Sequence, residues 1–352
     1  MKIAYVTFER PEPRKGSGRK IYEQARIWRT YGHEVRHFVL APPGGDTCAE
    51  HSDYIFGLAI GKPMVSAVWY RRQLREHLAR WNPDLVYARE MIWWPGAATA
   101  LSGAPLVLEF NSLALSEYRT NSRLKYLLHR ATRHLLPNIS SGLISVSREI
   151  DAELPFAGIP RAVISNGYNL DAVTPRPAPS NARAQIIFVG SAGQYWNGED
   201  KIARLAHAMP DCDFHVVQAG FQPPKLPNLI AHGAVYGEAL ARLYQDMDIG
   251  LGTLALHRKQ MQEASPLKTR EYLAYGIPVI GGYEDTDLDG AECYLRIDNT
   301  EDNVDADISR IRLFIQHWKG RTLDRGEIED KISSRAKELA RLSFFEQAAR
   351  SR

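Results

Sequence analysis

Cysteine is scarce. The 352-residue chain has three, Cys48, Cys212 and Cys293, with no Cys-x-x-Cys spacing. An odd, scattered set excludes a disulfide scaffold and a cysteine zinc site, and predicts reduced thiols in a cytosolic protein. Long hydrophobic runs are also missing. The longest uncharged stretch, Met91 to Leu108, is broken by Pro95, Gly96, Gly103 and Pro105. It reads as a short helix, a turn and a buried strand, not a membrane span. Met1–Phe8 is a strand-like run followed at once by Glu9 and Arg10, unlike the apolar core and cleavage site of a signal peptide. Charge of one sign is lacking, since the net is +3, and a nucleic-acid binder is not expected. No low-complexity tract or short repeat is present. Hydrophobic residues at 44% and charged residues at 24% are ordinary for a globular chain, here long enough for about two domains.

What is present is alternation. Short apolar runs (Ile3–Val6, Val35–Leu40, Asp84–Ala88, Leu106–Phe110, Gly142–Val146, Ala162–Ile164) alternate with longer amphipathic stretches such as Ile21–Tyr31 and Val68–Trp81. Pro175, Pro177, Pro179 and Ser180 read as a linker. The alternation then restarts with Gln185–Val189, Asp213–Val217, Leu229–Ala231, Asp248–Leu251 and Pro278–Ile280, and ends in helices from about Ile308. This predicts an α/β protein of two doubly wound, Rossmann-like domains with parallel sheets. The expected divisions are 1–176, 177–335 and a C-terminal helix, 336–352, crossing back to the first domain. The halves differ in charge: residues 1–176 carry +7 and the remainder −4. Ligands of such sheets bind beyond the carboxyl ends of the strands, so the expected site is a cleft between the domains.

The most informative segment is Glu263-Ala-Ser-Pro-Leu-Lys-Thr-Arg-Glu271-Tyr-Leu-Ala-Tyr-Gly-Ile-Pro-Val279. Ser265 before Pro266 predicts a helix start, with Ser265 as N-cap. The first free amides, of Leu267 and Lys268, together with the helix dipole and the Lys268 ammonium, suit a diphosphate. Glu263 and Glu271 flank that anion site. Two acceptor groups around a diphosphate suit a nucleotide sugar. The alternatives are a solvated helix face for the two glutamates and an intrahelical pair with Glu271 for Lys268.

The Glu-x7-Glu spacing, followed by Glu-Tyr-Leu-Ala-x-Gly-x-Pro-Val, resembles the signature of retaining family-4 glycosyltransferases with the GT-B fold. Met1–Thr7 with Gly16-Ser17-Gly18, Gly32-His33-Glu34-Val35, Ser145-Val146-Ser147, Asn166-Gly167, Phe188-Val189-Gly190 and Gly233–Asp248 resemble further elements of that family. The resemblance implies a retaining, metal-independent sugar transferase with no cofactor, acting on a nucleotide-sugar donor and a saccharide or lipid-linked acceptor. Glu263 would hold donor sugar hydroxyls and Glu271 the ribose, with Val235 and Tyr236 beside the base. Gly190, Ser191 and Ser265 would line the donor site. The family has an Arg after the Val-Gly strand end and a Lys-Gly shortly after it. Ser191 and Asn197 stand there instead, so Lys268, with Arg258 or Lys259, would have to compensate. Asn111 stands where many members have His. Cell-surface polysaccharide or glycolipid assembly at the cytoplasmic face of a membrane is the implied setting.

Other residues carry weaker signals. Gly16-Ser17-Gly18 fails the Gly-x-Gly-x-x-Gly pattern at Ile21, which argues against a nicotinamide dehydrogenase. It reads as a tight loop after Lys15 in which Gly16, Gly18 and Arg19 sit near the donor phosphate. Arg89, Glu90, Asn111 and Glu117 follow strands and are acceptor-side candidates, or members of rim salt bridges. His33 reads as a structural turn residue. Trp93 and Trp94 read as packing residues. From Arg119 to Arg148 there are six basic residues and no acid. This basic helix, 119–136, either lies on an anionic membrane surface or presents a solvated face. Two other functions stay open: a GT-B-like sugar-nucleotide epimerase, and a non-catalytic sugar-nucleotide-binding partner of another transferase.

Overall fold

The computed structural model describes residues 1–12, 16–40, 54–55 and 63–350. Lys15 and Cys48 lie outside the described residues. The chain divides into two compact units, Met1–Ile164 with Lys337–Arg352, and Ser165–Ala336.

The first unit runs β1 (Lys2–Thr7), α1 (Gly16–Thr30), β2 (Glu34–Val39), β3 (Tyr54–Ile55), α2 (Pro63–Trp81), β4 (Leu85–Arg89), α3 (Ala97–Leu101), β5 (Leu106–Phe110), α4 (Ala114–Asn121), α5 (Arg123–Thr132), β6 (Gly142–Ser145), α6 (Arg148–Ala152) and β7 (Arg161–Val163). The strands form one parallel sheet in the order β3-β2-β1-β4-β5-β6-β7. β5, Leu-Val-Leu-Glu-Phe, is buried at every position, as a central parallel strand covered on both faces must be.

The expected loop at Gly16-Ser17-Gly18 is instead the first turn of α1. The close approach is there: Glu12 N donates to Gly18 O at 3.0 Å. A Cβ on Gly18 would stand 2.8 Å from the Arg10 carbonyl oxygen, so only glycine fits. His33 Nδ1 lies 3.3 Å from the terminal amine of Met1.

The core of this unit gathers Tyr5, Trp28, Tyr87 and Phe345, with Trp28 edge-on to Tyr87 at 5.4 Å and to Phe345 at 5.3 Å. Phe345 comes from the last helix, α13, described below. Polar groups are buried with it. Trp28 Nε1 donates to Glu338 Oε2 at 2.8 Å, and Tyr5 OH to Gln24 Oε1 at 2.7 Å. Glu109, fully buried on β5, accepts from Lys20 Nζ at 2.9 Å and Arg341 Nη2 at 3.0 Å. Burial would raise that carboxyl, but Lys20, Arg341 and Arg89 outweigh it and hold it well below the carboxylate range.

The second unit runs β8 (Ala184–Val189), α7 (Glu199–Ala208), β9 (Cys212–Val217), β10 (Leu229–Ala231), α8 (Gly237–Tyr244), β11 (Ile249–Leu251), β12 (Glu263–Ala264), α9 (Leu267–Ala274), β13 (Val279–Gly281), β14 (Glu284–Asp285), β15 (Tyr294–Arg296), α10 (Asn303–Ala306), α11 (Ile308–Trp318) and α12 (Glu329–Ile332). α13 (Ser334–Arg350) carries the chain from this unit into the first. The sheet order is β10-β9-β8-β11-β13-β15, all parallel, beside a two-stranded β12-β14 ribbon.

The units meet in sequence at Ile164–Ser165, not at 176–177. The expected proline linker is laced into the second unit. Arg176 is 1% exposed, and its guanidinium donates to the carbonyls of Pro177 at 3.1 Å and Arg321 at 2.9 Å. Its backbone N–H donates to Tyr275 O at 2.9 Å. Burial pushes the guanidinium down to about 10, with Asp248 acting the other way.

One cluster in this unit couples stability to acid. His215 Nδ1 lies 2.9 Å from His232 Nε2, the rings stack at 5.1 Å, and His215 Nε2 meets Gln185 Oε1 at 2.7 Å. Burial, followed by His232, pushes His215 down to about 4. A histidine depressed in the fold leaves the unfolded chain holding the extra proton. Stability therefore falls as pH drops from about 6.5 to 4. His215→Gln is expected to remove about 2 kcal/mol of that pH dependence, read from urea melts at pH 7 and pH 5. An unchanged slope would contradict it. No helix among the described residues is long and apolar enough to cross a membrane.

Candidate functional site

In the second unit the candidate residues follow strands and therefore collect at the carboxyl ends of the parallel sheet. Gly190 and Ser191 follow β8, Val235 and Tyr236 follow β10, and Glu263 through Glu271 lie between β11 and β13. Helix α9 is held tightly there. A Cβ on Gly250 would come within 2.5 Å of the Tyr272 ring, so glycine on β11 lets the helix lie against the sheet. The Tyr272 hydroxyl accepts the Val189 amide at 2.7 Å. That bond ties α9 to the last residue of β8. On the other side Arg270, fully buried, donates to Asp285 Oδ1 at 2.8 Å and also pairs with Asp287. Burial would lower Arg270, but the two aspartates reverse the effect and raise it.

Ser265 does not cap α9. Pro266 is the N-cap, with no side-chain bond, and the Ser265 hydroxyl accepts from Asn166 N at 2.9 Å. Ser-Pro predicts a cap locally, but the amide of a residue ninety-nine positions away takes the oxygen. The first-turn amides, Leu267 and Lys268 among them, lie where an α-helix offers no internal partner.

Lys268 is half-buried in that first turn. Its ammonium donates to Asn197 Oδ1 at 3.1 Å and stands 4.2 Å from the centre of the Phe188 ring. Burial pushes it down to about 7, against the pull of Glu199. Among the described residues no carboxylate forms a salt bridge with it. Asn197 is 1% exposed and donates from Nδ2 to Ser191 O at 3.3 Å. Asn197 thus joins the β8–α7 turn to the lysine. In sequence Asn197 reads only as a lost cation; a small polar residue beside Gly198 before a helix is the available signal.

Arg258 is committed elsewhere, contrary to its assignment as a phosphate ligand. Its guanidinium grips Asp200 through two bonds, 2.8 and 2.7 Å, and also pairs with Glu301 and donates to Tyr195 O at 3.2 Å. Lys259 lies over Trp196 at 4.9 Å. Glu263 is buried on β12, opposite Glu284 of β14. Glu271 accepts from Tyr168 OH at 3.1 Å. Tyr236 is 54% exposed at the start of α8, and Val235 before it is half-buried.

In the first unit Gly16 and Gly18 lie after β1, Arg89 and Glu90 at the end of β4, and Asn111 and Glu117 after β5. Arg89 Nη1 pairs with Glu9 Oε2 at 2.7 Å. Asn111 Oδ1 accepts from Lys20 Nζ at 2.7 Å, and its Nδ2 donates to Glu109 at 3.1 Å. Glu90 pairs with His129 Nε2 at 3.2 Å; burial raises its carboxyl, partly offset by that histidine. Trp93 lines a small cavity beside Glu90 and His129, and Trp94 is fully buried.

Residues 14–172 match the model of the family described as Glycosyltransferase Family 4. No curated protein matches the chain. Among solved structures, sucrose-phosphate synthase of Thermosynechococcus elongatus aligns with a TM-score of 0.75 at 14% identity, over 98% of each chain. The lipopolysaccharide outer core galactosyltransferase WaaB aligns at 0.67 and 13% identity, over 99% of this chain and 100% of the other. Anabaena Alr3699/HepE, solved with UDP and glucose, aligns at 0.63 and 14% identity, over 98% and 99%. The chain's amino-terminal part thus resembles that family, and with both parallel sheets laid out as in these proteins the chain has the GT-B fold.

Proposed function

We propose that the chain transfers a sugar, with retention, from a nucleoside-diphosphate donor held by the second unit to a saccharide or lipid-linked acceptor. The observation that carries this reading is Lys268: a half-buried ammonium in the first turn of α9, held by Asn197 and facing no carboxylate partner among the described residues. A cation beside the open amides of a helix start binds a diphosphate. Glu271 offers a carboxylate for ribose hydroxyls, and Glu263, buried on β12, one for the sugar. The bond from the anomeric carbon to the diphosphate breaks. A bond to the acceptor oxygen forms on the same face, and the acceptor proton passes to a donor phosphate oxygen. Lys268 and the α9 amides stabilise the charge that grows on the leaving diphosphate.

Thermal melts with UDP, GDP and ADP test the reading. One of them at a hundred times its Kd is expected to stabilise the protein by about 2.7 kcal/mol. Glu263→Gln is expected to retain that shift while transfer is lost. No shift with any of the three, or full transfer by Glu263→Gln, would contradict it. Conversion of the donor sugar without an acceptor would mark an epimerase instead.

A further inference from the structure

We propose that Asn197 is a positioning residue for sugar transfer, its side chain aiming the Lys268 ammonium at the start of α9. This rests on a diphosphate leaving from that helix start. Asn197 is 1% exposed, and both ends of its amide are engaged. Oδ1 accepts from Lys268 Nζ at 3.1 Å, and Nδ2 donates to Ser191 O at 3.3 Å. An ammonium only donates and a carbonyl only accepts, so the amide can stand in one orientation alone.

The turn that carries Asn197 is itself clamped. Leu254 N donates to Asn197 O at 3.1 Å, and Ala255 N to Trp196 O at 3.1 Å. Lys201, fully buried, donates to Leu254 O at 3.1 Å and Asn303 Oδ1 at 2.9 Å. Gly198 lies against the same loop: a Cβ there would stand 3.0 Å from Leu254 Cβ. These bonds hold the asparagine still, and the asparagine restricts a long side chain that would otherwise sample many rotamers. Its oxygen carries no charge, so the charge of the lysine is left for a ligand. A carboxylate at 197 would hold that charge for itself. The other groups around Lys268 do not replace this contact. Phe188 presents a ring face at 4.2 Å. Glu199, at the start of α7, pulls on the ammonium, but its carboxylate accepts from Gln218 Nε2. Glu271, one turn along α9, accepts from Tyr168. Arg258 is held by Asp200 and Glu301, and Lys259 by the Trp196 ring.

Competitive acetylation of the nucleotide-free chain from pH 5 to pH 10, read by mass spectrometry, reports the proton on Lys268 without any donor. Its midpoint in the parent is expected at about 7. Asn197→Ala removes an acceptor from the charged form and is expected to lower the midpoint by about one unit. Asn197→Asp is expected to raise it by about one to three units. Both variants keep the main-chain bonds of the turn, and Asn197→Asp keeps the shape of the side chain. At pH 6, Asn197→Ala is expected to lose about 10–100-fold in kcat, while its Kd for the stabilising diphosphate stays within about three-fold of the parent. At pH 7, Asn197→Asp is expected to bind that diphosphate about ten-fold more weakly, because carboxylate and phosphate compete for one ammonium. One midpoint shared by all three proteins, or a kcat of Asn197→Ala within two-fold of the parent, would overturn the proposal. Midpoints that move as expected in a chain stabilised by none of UDP, GDP and ADP would overturn the donor reading, and the role in transfer with it. The two failures are told apart because the labelling needs no nucleotide.

Discussion

Lys268→Met is expected to lower sugar transfer at pH 7 by 10²–10³-fold and to weaken nucleoside-diphosphate binding by about 10–100-fold. The first figure is the usual cost of removing one donor aimed at charge that develops in a transition state. The second is the worth of a charge-assisted hydrogen bond, about 1.5–3 kcal/mol. The structure concentrates the effect on one side chain. Arg258, the nearest alternative cation in the sequence reading, is occupied by Asp200 and Glu301, and Ser191 supplies no charge. Lys268→Arg is expected to keep the charge but lose placement, because Asn197 Oδ1 and the Phe188 ring fit a compact ammonium. Steady-state kinetics and titration of the diphosphate check both variants. Activity within three-fold of the parent in Lys268→Met would remove the lysine from the site.

Arg341→Ala is expected to destabilise the first unit by about 3–5 kcal/mol, the cost of leaving a buried carboxylate, Glu338, without its cation. Arg341 and Glu109 are both fully buried, and Arg341 also pairs with Glu338. Glu338 in turn takes the Trp28 indole N–H. The deletion takes the cation from Glu338, leaves Glu109 to Lys20 and opens a void beside the aromatic core. The melting temperature is expected to fall roughly 10 °C. Glu338→Gln combined with Arg341→Met is expected to recover more than half of the loss, since Glu109 keeps Lys20 at 2.9 Å and no lone carboxylate stays buried. A loss below 1 kcal/mol in Arg341→Ala, measured by urea denaturation, would show that solvent reaches the cluster.

Those two residues also show what a linear chain hides. Strands such as Ile3–Val6 and Leu106–Phe110 are local patterns, and both formed where the alternation places them. The Glu-x7-Glu block and the helix that begins within it are local as well. Glu109 and Arg341 are 232 residues apart, and nothing near either predicts the other. The same holds for Ser265, whose hydroxyl is drawn away by the Asn166 amide, and for Arg258, which reads as a free cation until Asp200 and Glu301 arrive from other turns. The prolines near Arg176 read as a joint because proline breaks regular structure. A buried guanidinium instead knits that segment to Arg321. Local pattern gives elements and candidate groups; which groups remain available is decided by distant partners.

Titration of the stabilising nucleoside diphosphate between pH 6 and pH 9 addresses the site most directly. With its ammonium pushed down to about 7 by burial, Lys268 loses its proton in the free protein as pH rises through that value, and an anion draws the proton back. Binding is therefore predicted to weaken above pH 7 and to take up a proton there, seen as a buffer-dependent heat, with both features absent in Lys268→Met. Affinity that stays level across the range in the parent, or the same decline in Lys268→Met, would contradict a diphosphate seated on Lys268 at the start of α9.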